Sequence, residues 1–131
     1  MEIANLGDFE YKYYMYYRPE EFDFLGTHTK GLLKFNCMET GGKVTPTQLK
    51  SFEYYVAHKP ELNTSLALSI DEYKTKNNIP KDAVARVSSV EFTPSDNYFL
   101  IDTNWDEEEG LAALFDNTGK ITSVVPQDTI L

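Results

Sequence analysis

Hydrophobic and polar positions alternate from the first ordered-looking run of the chain. Across residues 9–17, Phe9, Tyr11, Tyr13, Met15 and Tyr17 fall on one face and Glu10, Lys12, Tyr14 and Tyr16 on the other. Period two with aromatic enrichment predicts a strand, broken by Arg18-Pro19. A short second strand over 21–25, carrying Phe22 and Phe24, is expected to return antiparallel and to end at Gly26. A third over 31–38 turns Leu33, Phe35 and Cys37 inward, and Gly41-Gly42 leads the chain out of the sheet.

The period then becomes helical. In Thr45-Pro46-Thr47-Gln48 a threonine N-cap, a proline at the first helical position and a glutamine three residues after the cap form a capping box. Leu49, Phe52 and Val56 follow at helical spacing, predicting a helix of about 46–58. Pro60 cannot continue that helix, but it suits the first turn of another. The second helix, about 61–77, carries Leu62, Leu66, Ile70 and Tyr73, and Asn77-Asn78 and Pro80 stop it.

From Arg86 onward the period is two again, giving strands over 87–93, 98–103, 111–115 and 121–125. Their turn-rich connections favour antiparallel neighbours, hence a meander. Strands, two helices and more strands describe one α+β domain over 1–131. The sheet is expected to be mostly antiparallel, of about five to seven short strands, with both helices packed on one face.

Length and composition narrow the function classes. A chain of 131 residues buries roughly two thirds of its unfolded surface. No window approaches the ~18 uncharged apolar residues of a membrane span. The first residues lack both the basic region and the apolar run of a signal peptide. Cys37 is the single cysteine, which suits a reducing cytoplasm. The net charge of −9 argues against nucleic acid and anionic membranes as partners and favours basic proteins or cations.

Concentrated chemistry occurs in one segment, 98–116. There the only tryptophan, Trp105, precedes Asp106, Glu107, Glu108 and Glu109, closed by Gly110 between two predicted strands. Asp102, Asn104 and Asp106 match the first, third and fifth positions of a calcium loop. The match then fails, because Glu107 stands at the glycine position and Ala113 at the closing glutamate. An irregular Ca²⁺ or Mg²⁺ site on Asp102, Asp106 and Glu109 stays open, as does a carboxylate-based or metal-dependent hydrolase using the same three. A solvated turn is the plainer reading. Trp105 either caps the core at a strand end or anchors an interface.

Other reactive side chains are dispersed. His28 falls in the small polar run Gly26-Thr27-His28-Thr29-Lys30, read as a loop, and His58 near the end of the first helix suits its negative pole. Neither has a partner at metal-ligand spacing. Cys37 alternates with apolar residues and is expected to be buried and inert. Phosphate-loop, dinucleotide, nucleophile-elbow and zinc-protease motifs do not occur, which lowers the prospect of an enzyme.

Two segments together resemble a known family. Thr45-Pro46-Thr47-Gln48-Leu49-Lys50-Ser51-Phe52 with its following helix, and then Asn104-Trp105-Asp106-Glu107-Glu108-Glu109-Gly110-Leu111, are similar to small bacterial domains of unknown function. Those carry a W-D-x-E-[HE]-G motif between late strands and close with a pair like Gln127-Asp128, and such domains occur among candidate toxin-immunity proteins. Glu109 stands where a histidine is often found. The resemblance implies a binding protein more than an enzyme. The expectation is a cytoplasmic, non-enzymatic domain meeting a basic protein through Trp105, Asp106, Glu107, Glu108 and Glu109. An oligomeric module pairing through the tyrosine-rich first strand, placed at a sheet edge, is the remaining alternative.

Overall fold

The structure, a computed structural model, describes residues 9–105 and 109–129. Seven strands form one sheet in the spatial order of the sequence. They are β1 (Glu10–Lys12), β2 (Met15–Phe24), β3 (Thr27–Asn36), β4 (Ala85–Phe92), β5 (Asn97–Thr103), β6 (Leu111–Phe115) and β7 (Ile121–Pro126). Helices α1 (Pro46–Ala57) and α2 (Lys59–Lys76) bridge β3 and β4, and a short 3-10 turn, Gln127–Thr129, follows β7. The α+β class and the mostly antiparallel sheet match the expectation from sequence.

The N-terminal third departs from it. The alternating run 9–17 is a hairpin, with Tyr13 (φ 51°) and Tyr14 (φ 63°) in its two-residue turn. Such turns favour Asn-Gly, so two tyrosines in the left-handed region leave no turn signal to read. Parity flips across the turn. Tyr11 pairs with Tyr16, so the buried ring after the turn is Tyr16, not Met15 or Tyr17. Nor does Arg18-Pro19 break the chain; β2 runs through it and absorbs the strand expected over 21–25. Strand β1 stops opposite Tyr17, so Pro19 lies where β2 is paired on one side only, a position that tolerates proline. The antiparallel return is β3, entered through Leu25 (φ 58°) and Gly26 (φ 71°). His28 accordingly sits in a strand rather than a loop.

The two helices exist to make one long crossover. Strands β3 and β4 pair parallel, Leu32 with Ser89 through Phe35 with Phe92, which no tight turn can connect. Gln48 ties this arrangement together. Its backbone N–H donates to the Thr45 hydroxyl at 3.1 Å, and its side-chain oxygen accepts from the Thr45 N–H at 2.9 Å. Its Nε2 donates to Asn36 O at 2.9 Å and Phe92 O at 2.8 Å, the ends of the two parallel strands. One fully buried amide therefore caps α1 and fastens it to the sheet. The inward stripe of α1 is Gln48, Ser51 and Tyr55, flanked by Leu49 and Phe52; Val56, expected inward, is exposed.

Leu62, Leu66 and Ile70 of α2 pack with Phe22, Phe24, Leu33, Phe35, Val90, Phe92, Phe99 and Ile101 as the main core. Gly31 sits where β3 passes a bulge in β4: a Cβ there would lie 1.8 Å from Ser88 O. On the sheet face away from the helices, Tyr98, Leu100 and Ala112 form a smaller cluster. Glu91 is buried beside it and accepts hydrogen bonds from the Tyr98 hydroxyl and, at 3.3 Å, from Asn36 Nδ2.

Candidate functional site

The chain leaves the sheet after β5 at Asn104-Trp105 and returns before β6 at Glu109-Gly110, so two described stems flank the acidic segment. The first is a knot between three parts of the chain. Asn104 N–H donates to Val84 O at 3.0 Å, and Val84 N–H donates to Asn104 Oδ1 at 2.9 Å. Trp105 is partly buried against the main core, with Lys74 Nζ 5.8 Å from the indole centroid. Lys74 is 8% exposed, and its ammonium donates to Lys81 O at 3.1 Å and Ala83 O at 2.5 Å. A buried ammonium costs several kcal/mol unless its donors are used, and here two carbonyls and an aromatic face surround it (roughly the pattern of a satisfied cation).

The second stem closes on the 3-10 turn. Gly110 is the residue there because a Cβ would lie 2.2 Å from Ile101 O and 2.5 Å from Gln127 Nε2. Gln127 N–H donates to Gly110 O at 3.0 Å, while Gln127 Nε2 donates to Ile101 O and Leu111 O, both at 3.3 Å. Asp128 N–H donates to Glu109 Oε1 at 3.4 Å. The Gln127-Asp128 pair, noted in the sequence only through resemblance, is thus a buttress for Glu109 and Gly110.

Of the sequence-expected site residues, Trp105 and Glu109 belong to these stems. Trp105 caps the core, the first of its two readings. Asp106, Glu107 and Glu108 lie outside the described residues. Asp102 is exposed in β5 opposite Arg86 of β4, in a shallow cleft with Val84, Thr103 and Asn104. Among the described residues no group of three His, Cys, Asp or Glu side chains sits close enough to hold a metal ion. The site expected on Asp102, Asp106 and Glu109 lies partly outside the described residues, because its Asp106 is not among them.

The remaining reactive side chains have structural partners. His28 Nδ1 lies 2.5 Å from Asp23 Oδ1 and its Nε2 lies 3.2 Å from Glu21 Oε1, on the exposed hairpin surface. Hydrogen bonding to Asp23, then to Glu21, raises its pKa above the ordinary imidazole value. Cys37 is fully buried, and burial pushes its thiol up, away from the nucleophilic thiolate. His58 ends α1, its Nδ1 3.0 Å from Tyr54 O and its ring stacked on Tyr54. No helix among the described residues is long and apolar enough to cross a membrane.

Sequence reasoning passed over Lys74. A signal was there: Leu62, Leu66, Ile70 and Lys74 continue one stripe at steps of four, so a lysine occupies the last inward position of an apolar face. Beside it lies a cleft of about 350 Å³ between α2, the β2–β3 turn and residues 81–85, larger than the cleft around Asp102. No protein-family model, curated protein or solved structure matches the chain.

Proposed function

We propose that this chain is a non-enzymatic binding domain of the immunity type, which meets a basic protein partner through the acidic segment 106–109. The observation that carries the reading is the clamping of both stems. Asn104 and Trp105 are locked to Val84 and Lys74, and Glu109 and Gly110 are locked to Gln127 and Asp128. A segment of three acids with Trp105 fixed before it and Glu109 fixed after it loses less conformational freedom on docking than a free chain would. The net charge of −9 adds long-range attraction for a cationic surface. In this reading Trp105 fixes the stem that precedes the segment, and the carboxylates of Asp106, Glu107, Glu108 and Glu109 make the contact.

The test is capture of the tagged protein's partner from cell lysate at low and high salt, repeated with Glu107→Lys/Glu108→Lys. A basic partner retained at low salt, released at high salt and lost from the double variant supports the reading. Equal retention by the double variant removes the acidic segment from it.

The place of β1 at the sheet edge favours a second reading. Tyr11, Tyr13 and Tyr14 are exposed there, and the edge is three residues long. Self-association through β1 would appear in light scattering as a mass rising with concentration and suppressed by Tyr13→Lys. A constant monomer mass argues against it.

A further inference from the structure

The cleft lined by Lys74 has the composition of a small-molecule site that the acidic segment does not explain. Its apolar lining includes Leu25, Ala67 and Ile70. Its polar lining includes one stripe of α2, Asn63, Asp71 and Lys74 at helical spacing, together with Lys81. A volume of about 350 Å³ is at the small end of ligand pockets, which combine an apolar lining with a few placed polar groups.

Lys74 gives this cleft its chemical preference. It lines the cleft while being 8% exposed, so its charge is held out of water. Two of its three N–H donors are taken by Lys81 O and Ala83 O. Those partners are neutral, and the ion pairs among the described residues do not include Lys74. Among the described residues this buried cation is held by two carbonyls and the Trp105 ring and not by a carboxylate, and its attraction for an anion is little screened. Asn63 Oδ1 accepts from Leu25 N–H at 2.9 Å, which fixes its side chain at the cleft wall.

The geometry points to this cleft as a site for a small carboxylate with an apolar body. The carboxylate meets the Lys74 ammonium together with Lys81, and the apolar part lies on Leu25, Ala67 and Ile70. Asp71 on the exposed rim opposes the anion and keeps its affinity modest. Because Lys74 Nζ also faces the indole of Trp105, occupancy changes the surroundings of the only tryptophan.

The experiment titrates the full chain with sodium hexanoate at fixed ionic strength and follows Trp105 emission, with acetate and hexanol run in parallel. A saturable response to hexanoate is expected, weakening about fourfold for each buried methylene removed toward acetate. Hexanol, which lacks the charge, should give no response over the same range. Lys74→Met also removes structural hydrogen bonds, so the decisive variants are in the apolar lining and on the rim. Ala67→Leu fills the cleft from its apolar lining and should weaken hexanoate about tenfold or more. Asp71→Asn removes the opposing charge and should tighten it about twofold to fivefold. An equal response to hexanol, no saturable response at all, or a titration unaltered by Ala67→Leu would each overturn the assignment.

Discussion

Replacing Lys74 with methionine isolates the contribution of one buried cation. Methionine keeps the length of the stem and its helix propensity, so the change deletes the ammonium and little else. The side chain is 8% exposed and donates to Lys81 O and Ala83 O. A hydrogen bond to a charged group contributes roughly 1.5–3 kcal/mol net. Two such bonds, less the desolvation that methionine no longer incurs, leave an expected loss of about 2–3 kcal/mol. For a chain of this size each kcal/mol moves Tm by about 3 °C, so the melting temperature should fall by roughly 6–9 °C. Urea unfolding followed by far-UV circular dichroism gives the free energy directly. The loss should be nearly the same at low and high salt, because contacts to carbonyls inside the fold are little screened. The emission of Trp105 should change in the folded variant, since the cation 5.8 Å from its ring is gone. A loss below about 0.5 kcal/mol with unaltered Trp105 emission would refute the reasoning, because it would mean the knot between α2, residues 81–84 and Trp105 does not depend on the charge.

Three further outcomes test other parts of the structure. Gly31→Ala forces a Cβ to within 1.8 Å of Ser88 O, and should cost about 3 kcal/mol or more by thermal denaturation; a neutral result would mean β3 and β4 separate easily there. Gln48→Ala keeps the Thr45 hydroxyl cap but removes the reciprocal bond from Thr45 N–H and both bonds to Asn36 O and Phe92 O, so a loss of about 2–4 kcal/mol is expected, and one below ~1 kcal/mol would show that the amide is not the tie described. Hydrogen bonding to Asp23 first and Glu21 second favours the charged form of His28 and places its folded pKa above the ordinary ~6.5. The resulting stabilisation is complete below that ordinary value and is lost as pH rises through the folded value, so the stability difference from His28→Gln should shrink with rising pH. An NMR titration of His28 with its midpoint at or below ~6.5 would remove the carboxylate clip from the account.

Some of this protein was determined by the sequence alone. The capping box at Thr45-Gln48, the proline in the first turn of α2 and the four late strands with their turn residues are local features, each decided by neighbours within a few positions. Those features suffice for the α+β class and the meander. Tertiary structure decided what depends on distant partners. The hairpin at Tyr13-Tyr14 is invisible because an alternating run reads the same before and after a two-residue turn, and only pairing with β3 shows the change of parity. The parallel joining of β3 to β4 follows from burying both helices on one face, a global solution that no local window contains. The same holds at the candidate site. The sequence located four acids beside a tryptophan, but the clamps on Trp105, Glu109 and Gly110 come from Lys74, Gln127 and Asp128, which lie elsewhere in the chain. Lys74 continues the inward stripe of Leu62, Leu66 and Ile70, but the spacing does not say what would hold its charge. Its burial depends on carbonyls and an indole brought to it by the fold, because a charge can be buried only where distant groups converge to hold it.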